Sequence, residues 1–527
     1  MSVRGAGATV LIAATAACLP RGTPPAGSQL ITDRAASLAA LVPPNGDGLL
    51  RILVMRPGPT SDSADLSVVT LDADNQLSPE RLLISDIDPV SSVNCPGGVA
   101  PCGFDDDGRV QIFEKNGGSA LLDPVTGQIE ALNLLGQHAP GEPYFASGMT
   151  QTSGTFYDRH GGAIPIQLAP PDSNGPYFPP YTVSGSDFYY LDAQHNLIDI
   201  PPSDVPEQVA TAVTYYSFWT TPDGPLLVLT RTTADGTGSQ SSIGDPRSGM
   251  ETVLPFDASL ASLSPNGRWV VYPPHNQENQ YTFFDRSSGA QSTVALGQPT
   301  LSLEWRPATS EVWVSTVDPN DSNNVATVWI LRPDAPDESV RVPGVRMWGV
   351  ATNGGWGGAS FTADGKYWFS TPSRPDVATT TIQVGAAADP TGPRYNLNPP
   401  ETYLSQAWYL PDGRLLTTSW PSDSSRADAN LLDPRTGERR TLGRRGVVDG
   451  VGQTRFMGMF HVYQARGDLV AGGFDTADST VLAPEFTVRA FAEPQGDDLL
   501  APGTRIVYQF QARTASPYDG IWVTECP

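Results

Sequence analysis

Along the middle of the chain, short apolar runs alternate with tight-turn sequences. The runs PLLVLT (225–230), RWVVY (268–272), KYWFS (366–370) and RLLTTS (414–419) each follow such a turn. The turns are Pro222-Asp223-Gly224, Pro265-Asn266-Gly267, Ala363-Asp364-Gly365 and Pro411-Asp412-Gly413. RVQIF (109–113) follows a diverged copy, Asp106-Asp107-Gly108. Asp-Gly and Asn-Gly accept the positive φ angles that a turn between two twisted strands demands. Apolar residues stand just ahead of the turns, at Trp219, Leu263, Phe361 and Trp408, so each turn is expected to join two strands.

A second turn recurs downstream, at 123–127, 245–249, 285–289 and 433–437, beginning with Asp and ending with Gly. Strand-like runs flank it, such as YTFF before and STVAL after. From the Asp or Asn of the first turn to the Asp of the second, the spacing is 16, 22, 19 and 21 residues in the four units that have both. Two hairpins at a near-constant offset make a four-stranded antiparallel unit. Successive first turns lie 43 and 48 residues apart where neighbouring units are clear (Asp223 to Asn266, Asp364 to Asp412), which is the period of a propeller blade. The degenerate run 302–316 fills the gap between them.

The string LSPNGRWVVYPP (263–274), with TFFDRSSG (282–289) after it, resembles the repeats of TolB-like, PD40-type (WD40-like) β-propellers and of the propeller domains of prolyl-oligopeptidase-type enzymes. The resemblance is clearest over 211–442. It implies an all-β fold, a β-propeller of four-stranded antiparallel blades. Eight blades are favoured and seven is the alternative. One propeller is expected over 46–525, with the strand-like runs of 450–524 closing the ring. Motifs of this kind specify how blades are built and are shared by proteins of different roles.

Composition agrees with many short elements: 52 Gly and 50 Pro supply turns without a collagen-like period. The formal charge of −24 would repel a phosphate backbone, so nucleic acid is not an expected partner. At the N-terminus, Arg4 precedes the apolar run Thr9 to Ala17, too short to span a bilayer, and Cys18 follows the small residues Ala16 and Ala17. Residues 1–17 therefore read as a signal peptide and 18–45 as a Pro/Gly/Ser-rich tether. The junction resembles a bacterial lipoprotein signal, which implies lipidation of Cys18 and membrane attachment by a lipid anchor alone. Thr15 departs from the Leu usual in that pattern, and an ordinary signal peptide cleaved near Ala16 or Ala17 is the alternative. The expected location is the cell envelope, facing the periplasm or the cell surface, or secreted and soluble on the alternative. Cys95 and Cys102 bracket CPGGVAPC, where the backbone can turn back, so a local disulfide is the simplest pairing in an oxidising compartment. Cys526 is left over.

Residue-level chemistry is thin. A hydrolase domain attached to the propeller would need a GxSxG elbow, and none occurs. The five histidines form no HExxH or His-x-His pair. Asp318, Asn320 and Ser322 alternate as calcium ligands do, but Asn323 occupies the glycine position and Trp329 the place of the twelfth-position Glu, which favours a solvated turn. No cofactor is expected. Trp305, Trp313, Trp329, Trp368, Trp408 and Trp420 fall in alternating strand patterns and read as inter-blade core. Trp348 and Trp356 flank the glycine-rich GVATNGGWGGAS and are the candidates for ligand contact at the channel mouth. The expected role is a monomeric, non-enzymatic binding scaffold for an envelope protein or polymer. The alternative is a channel-mouth enzyme, a lyase or glycoside-active propeller, or a carbohydrate-binding protein.

Overall fold

The computed structural model describes residues 24, 27–33, 36–87, 108–113, 119–132, 145–147, 153–157, 163–169, 181–184, 187–201, 205–233, 235, 238–244, 251–273, 279–317, 325–351, 358–373, 381–399, 402–421, 426–464, 466–475, 479–493, 500–512 and 515–526. The described elements are antiparallel strands, with two short 3₁₀ turns. One blade shows how the repeat folds. Strands Ser262–Leu263, Trp269–Tyr272, Gln280–Asp285 and Gln291–Ala295 pair in chain order. The Pro-Asn-Gly turn joins the first two, and the Asp285–Gly289 turn joins the last two. Gly224, Gly267, Gly365 and Gly413 stand at φ of +117°, +70°, +66° and +88°. At Gly365 the requirement is double, because an added Cβ would also lie 2.5 Å from the Pro307 carbonyl oxygen of the preceding blade.

The same four-strand meander builds the sheets at 37–87, 213–253, 300–343 and 345–396. The ten strands linked in one ladder, nine from Thr402 onward and Gln29–Asp33, separate into successive blades at two sharp connections. Strand Arg439–Val451 ends one blade near 446 and starts the next at 447, and strand Ser479–Ala492 does the same near 485–487. Arg445 and Glu485 take φ of +53° and +45° at these links. In each case an Asp on the third strand of the same blade accepts the backbone N–H: Asp428 that of Arg445 at 2.9 Å, and Asp468 that of Glu485 at 2.6 Å. Asp65 and Asp86 repeat the device at 3.1 Å in the first blade, with Asp86 at φ +60°.

The last blade takes three strands from the C-terminus, 487–492, Arg505–Phe510 and Gly520–Glu525, and its fourth from the N-terminus, Gln29–Asp33. The chain then passes into Ser37–Leu41, first strand of the first blade. Leu38, Ile52 and Val69 pack on Phe491, Val507 and Ile521 in one buried cluster that joins first blade to last. Elsewhere the buried clusters likewise lie between neighbouring sheets: Trp269 and Phe283 against Trp305 and Val312, Trp313 against Phe361 and Trp368, Leu416 against Phe456 and Phe460. Sheets packed face to face in sequence and joined end to beginning make this a β-propeller.

The N-terminal boundary differs from the compositional expectation. Residues 29–33 and 37–41 lie inside the stretch expected as tether, yet both are strands, and Leu38 to Leu41 have no exposed surface. Edge pairing decided this: the unpaired side of Gly520–Glu525 needs a partner, and QLITD supplies it. Cys526, without a role in the sequence, is buried against Leu500 and Tyr508, its thiol donating to the Leu500 carbonyl at 3.8 Å.

Candidate ligand-binding face

A four-strand meander has two ends. One carries the turns between strands one and two and between strands three and four. The other carries the turn between strands two and three and the link to the next blade.

The first end is tied from blade to blade by polar contacts. Asn266 donates to Ser310 Oγ at 3.0 Å, Arg306 to the Gly365 carbonyl at 2.8 Å, and the Tyr409 hydroxyl to Asp364 at 2.7 Å. Arg414 reaches the Phe474 carbonyl at 2.9 Å and Asp475 at 2.6 Å. Most of these groups belong to the first turns, or the strands beside them, of consecutive blades, and Phe474 and Asp475 to a connection between strands three and four. Burial works against ionisation of Asp364, but the donors Tyr409 and Lys366 outweigh it and hold the carboxyl at about 2. Arg268 likewise holds Asp285 well below the ordinary carboxylate range. Glu304, accepting the Ser360 N–H at 3.1 Å across a blade boundary, is shifted upward by burial despite that bond.

The opposite end is built differently. The first strands are bulged near where they start, between Leu38 and Ala40, Val213 and Tyr215, Thr300 and Ser302, and Leu404 and Gln406. A bulge twists the strand and re-aims its side chains. Exposed large apolar residues collect here: Leu260 on a blade-to-blade link, Leu301 in a bulge, Val447 at a strand start, and Tyr463 and Tyr518 at turns between strands two and three. The most developed case is Tyr403 and Trp420, directly opposite each other on strands one and two and 57 % and 46 % exposed. Other exposed large apolar side chains, such as Leu82, Ile129 and Val253, lie on fourth strands at the outer edge. Among the described residues, no first turn carries one, although Val125 and Val205 stand exposed at connections between strands three and four.

Of the residues singled out in the sequence, Cys18, Cys95, Cys102, Asp318, Asn320, Ser322 and Trp356 lie outside the described residues. Trp348 is half-buried. Its N–H bonds the Phe369 carbonyl at 3.1 Å, its ring packs on the cluster containing Leu404 and Tyr395, and the Arg346 guanidinium sits 5.0 Å from the ring centre. Trp305, Trp313 and Trp368 are core, as expected, but Trp420 is not. Its alternation places it with Leu416 on the face toward the next blade, yet it stands at the strand's open end, beyond the packed cluster. Alternation reports the face of a sheet and says nothing of height along it. Among the described residues, no three or more His, Cys, Asp and Glu side chains gather as a metal site.

No protein-family model matches the chain, and no curated protein sequence matches it. Solved structures similar to it include an oligogalacturonate lyase in complex with manganese, at 13 % identity and TM-score 0.33, covering 66 % of this chain and 97 % of that one. An oligogalacturonate lyase from Vibrio parahaemolyticus shares 10 % identity at TM-score 0.32, covering 66 % and 96 %. The β-propeller domain of the trilobed protease from Pyrococcus furiosus shares 11 % at TM-score 0.30, covering 59 % and 98 %. Likenesses of this degree concern the fold alone. The class of this protein, a β-propeller, stands on its own sheet order and closure.

Proposed function

We propose that this protein is an exported cell-envelope propeller of the TolB-like type, anchored by a lipid on Cys18, that acts as a monomeric, non-enzymatic binding scaffold through the open end of its blades. The observation that carries the reading is the division of exposed apolar surface. The turn end is occupied by its own blade-to-blade bonds, while the open end presents Leu260, Leu301, Tyr403 and Trp420 with no described partner covering them. Clustered exposed apolar surface marks an interaction site.

The N-terminal strand adds an orientation. Gln29 pairs beside Val523 at the turn end, and Asp33 pairs with Gly520 at the open end. The chain ahead of Gln29 therefore enters its strand from the turn end. A lipid on Cys18 would hold the turn end toward the membrane and turn the open end away from it.

A photo-crosslinking residue at position 420 and another at 253, on the outer edge, test the scaffold reading in intact cells. Discrete adducts from 420 and none from 253 are expected. No adducts from 420, or the same adducts from both, would overturn it. Mass spectrometry of the mature N-terminus tests the anchor: a diacylated Cys18 is expected, and an unmodified N-terminus at or before Cys18 removes it.

A further inference from the structure

The blade spanning 402–446 carries a feature that the scaffold reading leaves unused. Within 402–446, seven arginines stand against five carboxylates, a net of +2 in a chain of −24. Part of this excess belongs to the turn end, where Arg439 bonds the Asn396 carbonyl and Arg440 the Phe474 carbonyl. The rest is at the open end, where Arg444 and Arg445 are both exposed. Neither makes a side-chain ion pair among the described residues.

Register puts these arginines beside the aromatic pair. Tyr403 lies opposite Trp420, Ser419 opposite Asp428, and Ala427 opposite Gly446. One row across the sheet thus runs from Tyr403 through Trp420 and Ala427 to Gly446, with Arg445 and Arg444 next along the chain. Three strand spacings make this row roughly 14 Å long. Its charged end is fixed in place. Asp428 uses its carboxylate to hold the backbone N–H of Arg445 at positive φ. Gly446 admits no Cβ against Phe460 and the Met459 carbonyl. Asp468 is also on this rim, accepting from His461 at 3.1 Å and from the Glu485 N–H.

We propose that this row binds an acidic polysaccharide, with Tyr403 and Trp420 stacking on sugar rings and Arg444 and Arg445 pairing with the carboxylates. The proposal rests on the scaffold reading and names its partner class. Exposed aromatic rings suit the apolar faces of sugar rings, and guanidinium groups take carboxylates in bidentate geometry. The long-range charge of −24 opposes every polyanion alike, so occupancy is decided by short-range contacts, and the DNA probe below separates sugar carboxylates from phosphates. A lipid on Cys18 would leave from the other end of the blades, which turns this row away from a lipid surface.

The test is affinity electrophoresis and tryptophan fluorescence titration of the full chain with alginate, with dextran as the uncharged probe and single-stranded DNA as the other polyanion. Alginate is expected to bind in a salt-sensitive manner, and dextran and DNA are not. Trp420→Ala and the pair Arg444→Ala with Arg445→Ala should each weaken alginate about tenfold, while Trp420→Phe retains binding. Thermal unfolding of each variant, matching the parent, confirms that the loss is local. No alginate binding, binding unchanged in these variants, or tighter binding of DNA would overturn the proposal. Crosslinks from position 420 in cells without alginate binding would sink the glycan and leave the scaffold standing. Absence of both would sink the two together.

Discussion

The two ends of the blades solve opposite problems with the same strands. At the turn end, short Asp-Gly connections bring blades close enough for Asn266, Arg306, Tyr409 and Arg414 to bond a neighbouring blade directly. At the open end, bulges bend the first strands away and leave Leu301, Tyr403 and Trp420 exposed. A propeller can therefore place its stability and its binding surface at different heights of one sheet. Mutations at the two ends should then separate, with stability lost at one and binding lost at the other.

The largest expected effect is at the turn end. Gly365→Val imposes a β-branched side chain at φ +66° and drives it into the Pro307 carbonyl. A loss of ~3 kcal/mol or more in denaturant unfolding is expected. A near-neutral result would show that the blades are not pinned there.

Next is Asp449, in the bulge between Val448 and Gly450. Burial pushes its carboxyl from the usual 3.8 up to about 7, with the Met459 N–H pulling the other way. The folded chain thus holds a proton there that the unfolded chain releases above about pH 4. The stability contributed by the neutral carboxyl is full below that pH and is lost as pH rises through about 7. Asp449→Asn, neutral throughout, should stabilise the protein by about 1–3 kcal/mol at pH 8 and change it little at pH 4. Unfolding curves at the two pH values check this, and equal shifts at both would refute it.

Smaller still is Asp428→Ala, which removes the acceptor for the Arg445 N–H and should cost about 1 kcal/mol in denaturant unfolding. The same change at Asp468 should match it, because the device is repeated. A difference above about 1 kcal/mol between them would break that equivalence.

The smallest effect on stability belongs to the open end. Trp420→Ala should stay within about 0.5 kcal/mol in unfolding, despite removing the largest side-chain type, because the ring is half-exposed beyond the packed cluster. A loss above about 2 kcal/mol would place Trp420 in the core and collapse the distinction between the ends.

Much of the blade construction was legible in the chain. Asp-Gly turns dictate positive φ locally, so the hairpins at 222–224, 265–267, 363–365 and 411–413 follow from a few adjacent residues. The turns at Asp72-Asn75 and Asp192-His195 carry no such mark. There Asn75 and His195 take the positive φ, at 58° and 61°, and no Gly marks the place. The open-end row was also hidden, since Tyr403, Trp420 and Arg445 are neighbours only through register across a bulged sheet.

The sequence by itself determined the repeating unit: turn residues fix backbone angles, and continuous apolar runs give the inner strands two buried faces. Only the tertiary structure decided how the ring closes, which Trp residues are covered, and that 29–33 is a strand and not a tether. Those outcomes depend on an edge that another part of the chain must satisfy and on distance from the packed layer. Neither quantity is carried by local sequence.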